Sequence, residues 1–184
     1  MPREIDNYKG MNYSGKDTRL FKEWEMIDQR YRDDKQCEYI IRRRNGAGLP
    51  IVFDIIFNIK TIIGVESADE QGLQKPIFGK EHKMRITLPN NYPAADGQPD
   101  FMFTTNVWHP NIQYYGDFKG HVCLNTHDHG VHTHLVNYID RVIGYLTYED
   151  YHAKNEYPYP QDLEVAEWVL NQAETQGWLP FEQD

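Results

Sequence analysis

An α+β fold, with helices flanking an antiparallel sheet, follows from three features of this sequence. A helical stripe of apolar residues comes first, within residues 17–34. Four runs of alternating apolar residues follow, joined by short turn signals. Two further helical stripes close the chain. Nothing before residue 105 supplies the crossover helices that a parallel sheet needs, so the strands read as a meander.

Each element has its own local reason. In residues 17–34, Leu20, Trp24, Ile27 and Tyr31 recur at helical spacing, and Asp17 or Thr18 stands where a cap is needed. Lys22, Glu23, Glu25, Asp28 and Arg30 lie off that stripe and read as its solvated side. Residues 36–65 read as a strand pair turning at Asn45-Gly46-Ala47-Gly48. Cys37, Tyr39 and Ile41 alternate in the first strand. Ile51, Phe53, Ile55, Phe57, Ile59 and Ile63 share one face of the second, opposite a mixed face of Val52, Asp54, Asn58 and Lys60. Residues 80–88 turn Met84, Ile86 and Leu88 inward, and Asn90-Asn91-Tyr92-Pro93 ends that strand. Phe101 and Phe103 mark a short fourth strand. Leu135, Ile139, Val142 and Leu146 make an amphipathic helix. Asp162 is placed to cap a last helix carrying Val165, Ala166, Val169, Leu170 and Ala173, which stops near Gly177.

Composition narrows the function classes. The chain has 184 residues, 40% hydrophobic and 26% charged, with 13 Tyr and 8 Phe. That is globular composition, and a chain of this length buries roughly 70% of its unfolded surface without disulfides or metals. There is no repeat or flexible linker, so one domain over residues 1–184 is expected, with its core at about 17–176. The net charge of −9 disfavours nucleic acid and anionic membranes as partners. No run approaches the ~20 apolar residues of a membrane span, and the polar first ten residues do not read as a signal peptide. Two cysteines, Cys37 and Cys123, do not form a disulfide framework, which points to a reducing cytoplasmic compartment.

The candidate chemistry lies in the irregular stretch 106–134. Cys123 sits in a loop, where a thiol can be a nucleophile, a metal ligand or simply a buried residue. Five of the eight histidines fall here: His121, His127, His129, His132 and His134. With Cys123 they supply zinc-ligand types, but without a paired-cysteine or His-Glu-x-x-His spacing, so a polar loop is the simpler reading.

The ordered set Tyr92-Pro93, Phe101-Met102-Phe103-Thr104-Thr105, Asn106-Val107-Trp108-His109-Pro110-Asn111-Ile112 and Gly120-His121-Val122-Cys123-Leu124-Asn125 resembles the core of ubiquitin-conjugating enzymes. Ile77-Phe78-Gly79, Asn155, Tyr157-Pro158 and Val165-Ala166 extend the likeness to about residues 18–175. The resemblance implies the ubiquitin-conjugating fold: N-terminal helix, four-stranded meander, active-site loop and C-terminal helices. It also implies a carrier enzyme in which Cys123 accepts a ubiquitin-like modifier from an activating enzyme as a thioester, then passes it to a target lysine. Asn111 then stabilises the oxyanion or holds the active-site loop, with the weight on the oxyanion. His109 serves as structural support, and His121 is a weaker catalytic candidate. His121, Asn125, Asp128 and Asp162 are candidates for deprotonating the lysine. The first helix docks the activating enzyme, with Lys22, Arg30 and Trp24 as contact residues. No cofactor and no metal is implied.

Two departures from the family pattern stand out. Asn111 and Cys123 are twelve residues apart, longer than the family spacing, around Gln113–Lys119. Gly130-Val131-His132-Thr133-His134 replaces a Trp-containing segment. Both look like a divergent prokaryotic branch, of the kind encoded in bacterial conjugation operons that defend against phage. Two alternatives stay open: a catalytically inactive binding module on the same fold, or a zinc protein built on the 121–134 cluster.

Overall fold

The computed structural model describes residues 1–124 and 133–184. A 3-10 turn at Glu4–Tyr8 precedes helix α1 (Lys16–Tyr31). Strands β1 (Cys37–Arg44), β2 (Pro50–Val65), β3 (Pro76–Thr87) and β4 (Asp100–Phe103) follow, then α2 (Leu135–Leu146) and α3 (Leu163–Trp168), which runs on as a π-helical turn over Val169–Ala173. The four strands form one antiparallel sheet in chain order.

Register explains the main core. Ile41 faces Phe53, Phe53 faces Ile86 and Ile86 faces Phe101; a second row runs Tyr39, Ile55, Met84 and Phe103. These rows stack on one side of the pleat, and Leu20, Trp24 and Ile27 of α1 with Leu135, Ile139 and Val142 of α2 cover them. The packed body extends beyond 17–176: Ile5 joins this core, while Trp178 and Phe181 pack on a second cluster around Ile62, Trp108, Val165 and Trp168.

Several local expectations are corrected. Gly15 is the N-cap of α1, without a side-chain cap, and Asp17 instead accepts from the Asn45 amide at 2.9 Å, tying α1 to the β1–β2 turn. The register of β2 against β3 shifts between Asn58 and Thr61, so Ile62 is fully buried and Ile63 only half-buried. Trp24 is 1% exposed, its ring against Tyr8 and its indole N–H on the Tyr39 hydroxyl, and it cannot contact a docking partner. Lys22 and Arg30 do reach solvent, paired with Glu25 and Asp140.

Glu23 and Asp28, off the apolar stripe, are nevertheless buried because each meets a cation. Asp28 takes Arg3 and the Tyr39 hydroxyl. Glu23 accepts from Arg19 Nε at 2.8 Å and lies 2.6 Å from His134 Nδ1, while its other oxygen accepts the Leu135 N–H at 2.7 Å. Leu135 opens α2 and His134, its N-cap, offers no side-chain cap. A carboxylate on α1 therefore caps α2. Arg19 also donates to the Thr133 carbonyl at 2.6 Å.

Truncating Glu23 removes the acceptor of the Leu135 N–H and of Arg19 Nε, and leaves the half-buried guanidinium without its carboxylate. Glu23→Ala is expected to cost about 3–5 kcal/mol in urea denaturation, the scale for removing one partner of a buried ion pair. Glu23→Gln, which keeps an acceptor for Leu135, should cost less.

Candidate active site

The segment His109-Pro110-Asn111 is held by three different contacts. The Asn111 N–H donates to His109 Nδ1 at 3.0 Å. That leaves Nε2 as the protonated ring nitrogen, and it donates to the Asp150 carbonyl at 3.1 Å. The ring is fully buried, stacked on Tyr145 with centroids 4.6 Å apart and tilted against Tyr148. Burial pushes its pKa down to about 3. A neutral ring with both nitrogens engaged supports the loop and has no proton to exchange near neutral pH.

Pro110 offers its carbonyl to the N–H groups of Gln161 and Asp162, at 2.8 and 3.0 Å. Asn111 is 5% exposed. Its Oδ1 accepts the His152 N–H at 2.8 Å and its Nδ2 donates to the His152 carbonyl at 3.3 Å. The amide thus pairs with His152 as a neighbouring strand would. Its second Nδ2 hydrogen has no partner among the described residues.

Cys123 is reached through a hairpin. Gly120 donates to the Gln113 carbonyl at 2.7 Å, and Gln113 to the His121 carbonyl at 2.9 Å. The long Gln113–Lys119 segment is therefore a closed turn, with Phe118 71% exposed at its tip. Gly120 is at φ +91, and a Cβ there would stand 2.1 Å from the Phe103 carbonyl. Only glycine lets this strand approach β4 so closely. Val122 then donates to the Phe101 carbonyl at 3.0 Å and Cys123 to the Asn111 carbonyl at 2.9 Å. Val122 and Leu124 point inward, so His121 and Cys123 share the partly exposed side. His121 faces Asp100, with 3.6 Å between Nδ1 and the carboxylate.

The two cysteines have different surroundings. Cys37 is sealed in the main core, and burial raises its pKa to about 12. Cys123 is half-exposed.

Asp162 is not placed to deprotonate a lysine. One carboxylate oxygen caps α3 through Glu164 and Val165; the other accepts from the Tyr114 and Tyr115 N–H groups and the Gln113 amide. Asn125, Asp128, His127, His129 and His132 lie outside the described residues. His134 is occupied by Glu23. Among the described residues no three His, Cys, Asp or Glu side chains converge on a metal position, and no helix is long and apolar enough to cross a membrane. Tyr145 and Arg141, which reach the Cys123 and Leu124 carbonyls, were not apparent from the sequence. Their four-residue spacing was visible, but nothing in the pattern linked them to residues 123–124.

A pH dependence follows from His109. Unfolded, its imidazole binds a proton below about 6.5, whereas in the fold it does so only near 3. Its contribution to stability is complete above 6.5 and is lost as pH falls toward 3. Between pH 7 and pH 5 the loss is about 2 kcal/mol. His82, also lowered by burial, acts in the same direction. Urea denaturation at the two pH values should show this slope, and His109→Gln should reduce it.

No family model matches this chain, and no curated protein matches it at a significant level. Solved structures do match. One, assigned as a ubiquitin conjugating enzyme from Plasmodium yoelii, superposes with a TM-score of 0.60 at 20% identity, over 92% of this chain and 93% of that one. The E2 domain of a ubiquitin conjugating enzyme from Toxoplasma gondii superposes with a TM-score of 0.58 at 20% identity, over 90% and 94%. The chain has the fold of ubiquitin-conjugating enzymes.

Proposed function

We propose that this protein is a carrier enzyme for a ubiquitin-like modifier, with Cys123 as its acceptor thiol. The observation that carries the reading is the braced His109–Asn111 segment, whose Asn111 carbonyl holds the N–H of a half-exposed cysteine, on a fold shared with conjugating enzymes. In the first transfer the Cys123 thiolate attacks the thioester carbonyl that joins the modifier to the activating enzyme. A new C–S bond forms, the tetrahedral oxyanion collapses, and the activating enzyme's thiolate leaves. In the second transfer a target amine attacks the Cys123 thioester. The C–N bond forms, Cys123 leaves as thiolate, and the amine proton passes to solvent.

The contacts around Asn111 favour bracing as its first role. Both ends of the amide hold His152, and the remaining Nδ2 hydrogen is the donor left to meet an oxyanion. Lys22 and Arg30 supply cations to the activating-enzyme face of α1; Trp24 does not. The lengthened Gln113–Lys119 turn supports a place in a divergent, prokaryotic branch. The zinc reading finds no support among the described residues, where no three His, Cys, Asp or Glu side chains converge on a metal position; His127, His129 and His132 lie outside them.

The test is charging with an activating enzyme and modifier in the presence of ATP. Wild type should give an adduct that thiols cleave, Cys123→Ser an adduct that resists thiol, and Cys123→Ala none. Cys37→Ser should charge normally. Charging of Cys123→Ala would overturn the proposal.

Asn111→Ala should lower the melting temperature, as His152 loses both partners, at about 1–3 kcal/mol for buried polar groups left unpaired. It should slow charging and discharge together. A further drop confined to discharge, read in single-turnover transfer to free lysine, would identify the remaining Nδ2 hydrogen as an oxyanion donor.

A further inference from the structure

We infer that Tyr145 is a positioning residue for Cys123, fixing through the backbone the Cα–Cβ direction from which its thiol projects. The Tyr145 hydroxyl donates to the Cys123 carbonyl at 3.0 Å. One turn earlier on α2, Arg141 donates to the Leu124 carbonyl. Residues four apart lie on one helix face, so α2 grips two successive carbonyls with one edge. The other side of Cys123 is held as well, since its N–H donates to the Asn111 carbonyl at 2.9 Å.

The consequence is geometric. The N–H of a residue belongs to the peptide plane before it, and the C=O to the plane after it. Pinning both planes fixes φ and ψ of Cys123, and with them the Cα–Cβ vector on which the sulfur rides. Acyl transfer needs the sulfur placed in line with a carbonyl carbon, and small displacements are costly there. The Tyr145 ring lies buried on the His109 ring, so the hydroxyl stands on a rigid support. Burial raises the Tyr145 pKa, which keeps the hydroxyl protonated and donating. The same arrangement occupies the Cys123 N–H, so that group cannot also meet the oxyanion.

The role in transfer rests on the function proposed above, and the experiment separates the two. Tyr145→Phe keeps the ring and its stacking but removes the donor. Arg141→Met, at an exposed position, is a second variant that does not disturb the core. Amide hydrogen exchange at Cys123 needs no partner protein. In Tyr145→Phe it should rise about tenfold, while the amides of Ile139 and Val142 and the thermal melt change little. Arg141→Met should give a smaller rise. In charging assays Tyr145→Phe should lower kcat by about tenfold with KM for the activating enzyme unchanged, a split that general destabilisation does not produce.

Unchanged exchange at Cys123 in both variants would overturn the inference. So would accelerated exchange with wild-type kcat. If the wild-type chain accepts no modifier, the proposed function falls; exchange at Cys123 then still decides whether Tyr145 holds this backbone.

Discussion

The two ends of the Asn111 side chain meet the N–H and the C=O of His152, forty-one residues later in the chain. Much else depends on that pairing. It holds the stretch after α2 against the segment that precedes the cysteine hairpin. His109 repeats the connection two residues away, through Asp150. Pro110 turns its carbonyl the other way, onto the start of α3. Three consecutive residues thus join a loop, a post-helix segment and a helix N-terminus. None of these segments has regular secondary structure to satisfy its own backbone, so side chains and lone carbonyls provide the partners instead.

Asp162 meets the same need. It stands at the N-terminus of α3, where unpaired N–H groups collect, and its second oxygen takes those at the base of the cysteine hairpin. A carboxylate with no partner would be costly at this burial. Here it is surrounded by donors, two of them at a helix N-terminus whose dipole favours negative charge. Placement at a structural junction, rather than readiness to exchange a proton, accounts for its position.

The two thiols show how environment separates identical groups. Cys37 lies on the inward side of β1 across from Phe57, where apolar surroundings favour the protonated form. Cys123 lies on the outward side of a strand-like segment that Gly120 brings against β4. The alternation that buries Val122 and Leu124 is the alternation that exposes Cys123.

By itself the sequence determined the order and kind of the elements. Periodicities of 3.6 and 2 located α1, α2 and the four strands within a few residues, and turn signals separated them, because these patterns arise from the same local geometry that forms the elements. The ordered motifs around His109 and Cys123 named the candidate site for the same reason: they are contiguous in the chain. Only the tertiary structure decided which polar residues are buried. Glu23, Asp28 and Asp54 look like solvated positions along their own elements, and each becomes interior when distant groups reach it: the Leu135 N–H and His134 at Glu23, Arg3 at Asp28 and Arg85 at Asp54. It also removed Trp24 from the surface, tied the second oxygen of Asp162, a helix cap already legible in the sequence, to the Tyr114 and Tyr115 N–H groups, and brought Tyr145 to the Cys123 carbonyl. Those outcomes depend on partners tens of residues apart, and local pattern carries no record of which distant group will supply a hydrogen bond.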